Sequence, residues 1–582
     1  MLLRSAMLYW RTLWALRPIQ WAYLPLRRVQ RQLRVALPSV YPRLYPRYAA
    51  PDLDYPPAIA QLAERVAAIL ADVPGGDARP AASGATIRVL DREVNPEVVD
   101  WEAARGPALW TYHLHYFDAA PALAYAAWRG DRAAASLLAR WTRSWIEGCR
   151  VGRGPGWDPF PISQRLVNWI WCDGLHRAWA DVAMVARLRA SALQQAAYLV
   201  DHLEYQLMGN HLLKNAVALY LAALVWGRNR RVRRSGERAG RILRREVTEQ
   251  VLADGGHFER SPMYHDAVLQ DLLAVNLIAE HAGVEPPVSR EVLRRMATFR
   301  SALRHPDGAR ARFNDTTEGL VPGFEQVSAL YALYEPTWVP IVPRQVVLPE
   351  SGYFGYRDEA RGECVLVDAG PPGPRYQPGH AHCDMLSFEL SLWGQPWIVD
   401  PGVHGYVGDP FRGYVRSTRA HNTLGIAGRE QSELWGAFRM GRRARVEWAR
   451  CCPGPDGGWL FDGAYRPYFD RGVLHRRRIT REVGGIVRVR DRVNGAKAAV
   501  VEGALHFHPA VTVEVAEGRL ICRRDGRSLA VVWVGVEGCR LARGESEPIS
   551  GWFFPAYGVA VPTVTVRYRQ GVEGGFDLVP LD

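Results

Sequence analysis

His380 and His382 stand two residues apart in the run Gly379-His380-Ala381-His382-Cys383-Asp384, and Asp400-Pro401-Gly402 and His421-Asn422-Thr423 follow downstream. In a strand, side chains two apart share a face, so the paired histidines are expected to project together. Asp400 closes a second β-like run over 396–399, and His421 opens a third over 422–426. Two imidazoles and a carboxylate are a common zinc ligand set, which would leave one imidazole free to face a ligand. A single histidine in an apolar strand is more often a hydrogen-bonded core residue. Three of them with an aspartate at the ends of neighbouring runs favour a metal or catalytic centre.

Two further loops are rich in groups that do chemistry. Met208-Gly209-Asn210-His211-Leu212-Leu213 opens a helical pattern, and Asn210 is either its N-cap or an amide facing a cavity at a helix N-terminus, with His211 beside it. Asp254-Gly255-Gly256-His257-Phe258-Glu259-Arg260-Ser261-Pro262-Met263-Tyr264-His265 is too polar for a plain connector. Ser261-Pro262 reads as a helix start, which puts Tyr264 and His265 in the first turn. Tyr112 and His115 in 110–117, and Arg165 in 159–169, are candidates to line a groove, with core packing the alternative for each. Glu259, Arg260, Tyr406, Tyr414 and Arg416 complete the candidate binding residues.

The elements that must hold these groups fall into two grammars. Over 56–343, apolar residues recur at three- and four-residue spacing in segments 59–70, 133–146, 161–178, 192–207, 212–226, 237–252, 266–282 and 289–303. Short polar or Gly/Pro loops join them, so stacked helical hairpins in a bundle or an α/α toroid are expected. From 344 to 582, short alternating or β-branched runs punctuated by Gly, Pro, Asp and Asn indicate an antiparallel sandwich. Residues 1–55 form a basic arm, with nine arginines and no acid in the first 48. Such an arm could be an organellar presequence, lie on anionic lipid, or pack on the main domain; packing is the expectation.

The 582-residue chain is 48% hydrophobic and 23% charged, as expected of a globular protein. Its net charge of +13, carried almost wholly by arginine, favours anionic partners. No helix-turn-helix, zinc-finger or RRM signature supports nucleic acid among them. No apolar run reaches membrane-spanning length, and the opening lacks the pattern of a signal peptide. A cytoplasmic location is therefore expected, with the periplasm as alternative. The eight cysteines include no CxxC pair, and the oligomeric state is left between monomer and dimer.

Taken in order, the GNHLL loop, the DGGHFERSPMYH loop and the GHAHCD, VDPG and RSTRAHNT runs resemble the heparinase II/III group of polysaccharide lyases. The resemblance covers roughly 100–480 and implies an incomplete (α/α) toroid followed by an antiparallel β-sandwich, with a cleft between them. It implies β-elimination at a uronic acid, giving a 4,5-unsaturated end. The C5 proton becomes acidic once the neighbouring carboxylate is neutralised; a base then removes it and an acid protonates the departing O4. By this resemblance Asn210, with His211, neutralises the carboxylate, and Tyr264 is the base and a candidate acid. His380 assists neutralisation or proton transfer. His382, Asp400 and His421 hold a structural zinc ion, and Tyr406 or Tyr414 is a second proton donor. A tyrosine base needs a lowered pKa, which a basic cleft would supply. The arginine-rich start resembles members tied to exopolysaccharide production, so a non-sulfated uronate polymer is as good an expectation as heparan sulfate. The alternative function is a glycan-binding or assembly protein without turnover.

Overall fold

The computed structural model describes residues 2–47, 55–72, 86–90, 92–103, 106–227, 230–454, 457–495 and 500–581. The first half is helical, from Pro57–Ala71 to Phe324–Tyr334, and the first strand of the second half is Gln345–Leu348. The change of grammar expected near 343 therefore falls in the connector between them.

The helix Gly209–Trp226 is apolar nearly all round, and a helix of that kind belongs in an interior. It packs against Pro159–Gly174, Val182–Asp201, Arg230–Gln250 and Pro262–His281. Its neighbour Arg230–Gln250 buries only one stripe, led by Val232, Ile242 and Leu243, and turns its arginines outward. The helices form an incomplete α/α toroid. Several of their starts are capped as the sequence requires. Asp181 accepts from the Met184 amide at 2.7 Å and starts Val182–Asp201 ten residues ahead of the expected 192. Ser261 accepts from the Tyr264 amide, with Pro262 at the first helical position.

The second half is an antiparallel β-sandwich. Gln345–Leu348, Tyr353–Asp358, Glu363–Asp368, Ser387–Leu392 and Gln395–Ile398 form one sheet in sequence order. In the other, the long strand Val564–Pro580 pairs with Val487–Asn494, Val501–His506 and Arg527–Arg543. Phe354, Val365 and Phe388 meet Phe461, Ile479 and Val489 between the sheets. Val487–Asn494 alternates buried and more exposed positions, whereas every residue of Ser387–Leu392 is buried. The second pattern arises because the far face of Ser387–Leu392 meets the helical half, where His305 bonds Glu389 at 2.9 Å and Ser391 at 2.8 Å.

Three sets of contacts lock the halves together. Phe299, Leu303 and Phe313 share an apolar core with Val346, Tyr353 and Leu366. Asp254 accepts from the Ser351 amide and hydroxyl at 2.7 and 2.8 Å. The segment after the helix Arg290–Ala302 threads between both halves, with the Asp315 amide donating to the His380 carbonyl at 3.1 Å. The basic arm is two helices, Leu2–Trp14 and Pro18–Ala36, followed by the short turn Tyr41–Leu44. It lies along the seam of the body, as the packing reading expected.

Candidate active site

Asn210 lies in the first turn of its helix and is not the N-cap. Met208 takes that position with φ 59°, and Gly209 follows with φ 54°. A Cβ on Gly209 would stand 2.4 Å from Glu259 Oε1, so the close approach needs glycine for space as well as for backbone angle. The turn brings the Asn210 amide nitrogen and Nδ2 onto Glu259, at 2.9 and 2.8 Å. An asparagine amide carries two hydrogens on nitrogen, so one holds the group to Glu259 and the other is left for a ligand.

Glu259 and Tyr264 come from the polar loop and the helix turn after it. Glu259 Oε2 lies 3.4 Å from His380 Nε2, and the rings of Tyr264 and His380 lie 3.8 Å apart with a 30° tilt. An amide, a phenol and an imidazole from distant parts of the chain therefore meet in one cluster beside Glu259. His211 flanks it: Nδ1 is 3.2 Å from Glu204 Oε1, and the ring lies against Phe160. Burial opposes protonation of His211, but the Glu204 and Glu259 carboxylates prevail and raise its pKa. Tyr112 donates to Asp158 at 2.9 Å, with the Glu204 carboxylate nearby.

The centre of the polar network is Asp315, which the sequence reading did not single out. It accepts from Arg412 through both oxygens, from His380 Nδ1 at 2.9 Å and from His382 Nε2 at 2.8 Å. Burial alone would favour the neutral acid; Arg412 and the two imidazoles instead hold Asp315 well below the usual carboxylate range. Because that carboxylate can only accept, it assigns the proton of His380 to Nδ1 and that of His382 to Nε2. The available signal was the polar run Arg312-Phe313-Asn314-Asp315-Thr316-Thr317, about ten residues beyond an amphipathic helix.

Tyr264 departs from expectation. Its pKa is raised above that of an ordinary phenol, first by burial and then by Asp315 and Glu259, with Arg412 opposing. The positive charge that was to lower it is matched by Asp315 instead. Of the two further tyrosines, Tyr406 is the one beside the site: its hydroxyl interacts with that of Tyr264, and Asp315 and Arg412 are its charged neighbours. Tyr414 shares an apolar cluster with Tyr406, Val415 and Phe554, but its charged neighbours are Arg419, Arg567 and Asp400 and not the Tyr264–Asp315 group.

Four other candidates hold structure together. His115 is fully buried and accepts from Trp145 Nε1 at 3.0 Å, and burial pushes its pKa down to about 3. Arg165 donates to Gln195 and to the carbonyls of His115 and Gly156, with its guanidinium 3.8 Å from the Trp145 ring centre. Arg260, at φ 59°, donates to the Ser351 and Glu350 carbonyls and so ties the halves. Arg416 donates to the Ala381 and Gly436 carbonyls beneath the histidine loop. Each had read as a cleft cation or polar group because long polar side chains that satisfy buried carbonyls leave no distinct spacing in sequence.

The histidine pair sits in a loop, since the strand begins only at Ser387, so strand alternation does not place it. His382 and His421 nevertheless meet, with Asp384, in one buried group whose ligand atoms all lie within 4.8 Å of one another. Asp400 stands outside that group and bonds His421 Nδ1 at 2.6 Å. His382 Nδ1 and His421 Nε2 are both buried without a partner. Each ring thus has one nitrogen on a carboxylate and the other buried without a partner, in the group that includes Asp384. That donor set fits a divalent ion such as zinc, with Asp315 and Asp400 as the outer carboxylates that orient the ligands.

Residues 93–331 match the heparinase II/III N-terminus profile and residues 341–575 the heparinase II/III-like C-terminal profile. The chain belongs to the heparinase II/III family. A heparin-sulfate lyase of Pedobacter heparinus is 24% identical over 360 residues, covering 56% of this chain and 52% of the relative. One from Bacteroides stercoris is 25% identical over 242 residues, covering 38% and 36%. The chain thus spans about half or less of the length of these relatives. The structure of heparinase III superposes with a TM-score of 0.69 at 16% identity, covering 92% of this chain and 87% of that one. A heparan sulfate lyase from Pedobacter heparinus gives 0.58 at 18% identity, covering 90% and 88%. These likenesses establish the toroid and sandwich of the heparinase II/III fold.

Proposed function

We propose that this heparinase II/III protein is a polysaccharide lyase that cleaves a uronate-containing anionic polysaccharide by β-elimination. The observation that carries the proposal is the convergence of Asn210, Tyr264 and His380 around Glu259. The free hydrogen of Asn210 Nδ2 meets the uronate carboxylate and stabilises the charge that grows there when C5 loses its proton. His380 takes that proton at Nε2, since Nδ1 donates to Asp315. The imidazolium that forms lies between Asp315 and Glu259, so its charge is balanced on both sides. The C5–H electron pair becomes the C4–C5 double bond as the C4–O4 bond breaks. Tyr264, whose surroundings keep its proton on, delivers it to the departing O4. Tyr406 stands next to Tyr264 to relay a replacement.

Relatives named heparin-sulfate lyase favour a glycosaminoglycan-type polymer. His382, Asp384 and His421 would hold a zinc ion, which supplies structural cross-linking of the loop that carries His380. Its expected presence can be read by elemental analysis of protein purified without chelators.

The test is absorbance of the 4,5-unsaturated uronate over a panel of uronate polymers. Tyr264→Phe and His380→Ala are both expected to lower kcat/KM by about 10²–10⁴-fold. A uronate substrate with an activated leaving group at C4 should restore Tyr264→Phe but not His380→Ala. Normal turnover in both variants would refute the assignment, and binding of every polymer without ultraviolet signal would refute the lyase.

A further inference from the structure

The N-terminal arm is turned inside out. An amphipathic helix on a water-exposed body normally buries its apolar stripe and sends its charges outward. In Pro18–Ala36 the residues turned toward the body are Ile19 and Gln20 at its start, then Tyr23, Arg27, Gln30 and Arg34 at helical three- and four-residue spacing, while every described residue between Gln20 and Arg34 outside that set is exposed. The inward arginines are satisfied. Arg27 donates to Gln206 at 3.3 Å and to the Leu203 carbonyl, and Arg34 donates to Asp158 at 3.2 Å. In the helix before it, Arg11 pairs with Glu433 at 2.7 Å, and Arg17, between the two helices, donates to Glu249 at 2.8 Å.

What faces outward is mostly apolar. Trp10, Trp14, Trp21, Leu24, Val29 and Leu33 are exposed, Trp14 to 67%. Arg28, Arg31, Arg43 and Arg47 are exposed beside them. Where the arm meets the sandwich, a groove of about 440 Å³ is lined by Trp10, Trp14, Arg375, Arg442 and Arg443. Among the described residues no helix is long and apolar enough to cross a membrane.

We propose that this face seats the protein on an anionic lipid surface. The two helices lie in the plane of the interface, with tryptophan and aliphatic side chains at the headgroup–acyl boundary. The arginine fringe and the groove engage lipid phosphates. A second copy of the chain is the poorer occupant, because a two-fold contact would set the same arginines against themselves, whereas an anionic bilayer complements them. The carboxylates of the body hold the arm with its apolar side presented, so the surface is pre-formed.

The experiment is co-sedimentation of the full chain with equimolar phosphatidylcholine–phosphatidylglycerol vesicles, and with phosphatidylcholine alone. Binding is expected to the anionic vesicles, to weaken with added salt, and to be accompanied by quenching of tryptophan emission by brominated acyl chains. Replacing Trp10, Trp14 and Trp21 together by serine should reduce vesicle affinity by about tenfold or more. The same variant should keep the wild-type melting temperature and ultraviolet-detected activity on soluble polymer. The proposal is overturned by wild-type protein that stays in the supernatant with anionic vesicles, by undiminished binding of the triple variant, or by binding without acyl-chain quenching. A dimer in solution that the triple substitution dissociates, with no vesicle binding, would assign the face to a second copy instead.

Discussion

Asp315 accepts hydrogen bonds from a guanidinium and two imidazoles while excluded from water. Such a carboxylate cannot be neutralised quietly. Asp315→Asn leaves Arg412 buried without its counter-charge, and about 3–5 kcal/mol of stability should be lost in chemical denaturation. It should also lower kcat more than it raises KM, since His380 loses its orienting acceptor. Tyr406→Phe and Tyr414→Phe form a contrast, because both phenols are buried in the same apolar cluster. Only the first neighbours Tyr264, so only the first should depress turnover, while both leave the melting temperature within a few degrees of wild type. At this scale the sequence pointed to Asn210, Tyr264 and His380, which the structure brings together, but not to the division of roles between the phenol and the imidazole. It was not legible where one long polar side chain can serve either a ligand or a buried carbonyl, as at Arg165, Arg260 and Arg416.

Among the elements, the turn into Gly209–Trp226 decides where the amide goes. Gly209→Ala would push a methyl group onto Glu259 and demand a left-handed backbone of an alanine. The expected result is activity loss similar to that of Asn210→Ala, about 10²–10³-fold, with the far-ultraviolet circular dichroism of the helices kept. The loop from Gly379 to Leu386 has no regular structure of its own and depends on His382, Asp384 and Asp315 for shape. If a metal closes that cluster, a chelator should lower the melting temperature, and stoichiometric zinc should restore it. The His382→Ala variant should melt early and ignore the chelator. Helices and strands were readable from periodicity because burial on one face imposes it. The histidine loop was misread as a strand because alternation of two residues looks the same in a loop pinned by side chains.

For the molecule as a whole, pH is a probe of what is buried. Burial holds His115 near pKa 3 and His257 and His265 near 4, all below the ordinary value of about 6.5. The unfolded chain therefore binds their protons first as the medium is acidified. Their contribution to stability is whole above about pH 6.5 and drains away as the pH falls toward 4, by up to about 1.4 kcal/mol per pH unit for each proton. Urea midpoints at pH 5 should accordingly lie below those at pH 7, and His115→Gln should flatten the difference. The division into a helical half and a β half was plain from the order of the patterns. The route of the chain between them, with Asp315 on it, was not, because long-range side-chain partnerships leave no local period.

The reacting groups are shared unevenly along the polypeptide: the amide and phenol belong to the ring of helices, the imidazole to the β layers, and Asp315 to the strap joining them. Severing the backbone in the connector at 335–344 ought to yield two inert fragments, each lacking half of the chemistry. Mixed or produced together, they should re-form the apolar join of Phe313 with Tyr353 and regain catalysis in proportion to the complex formed. The protein would then behave as a natural two-piece reporter of its own assembly.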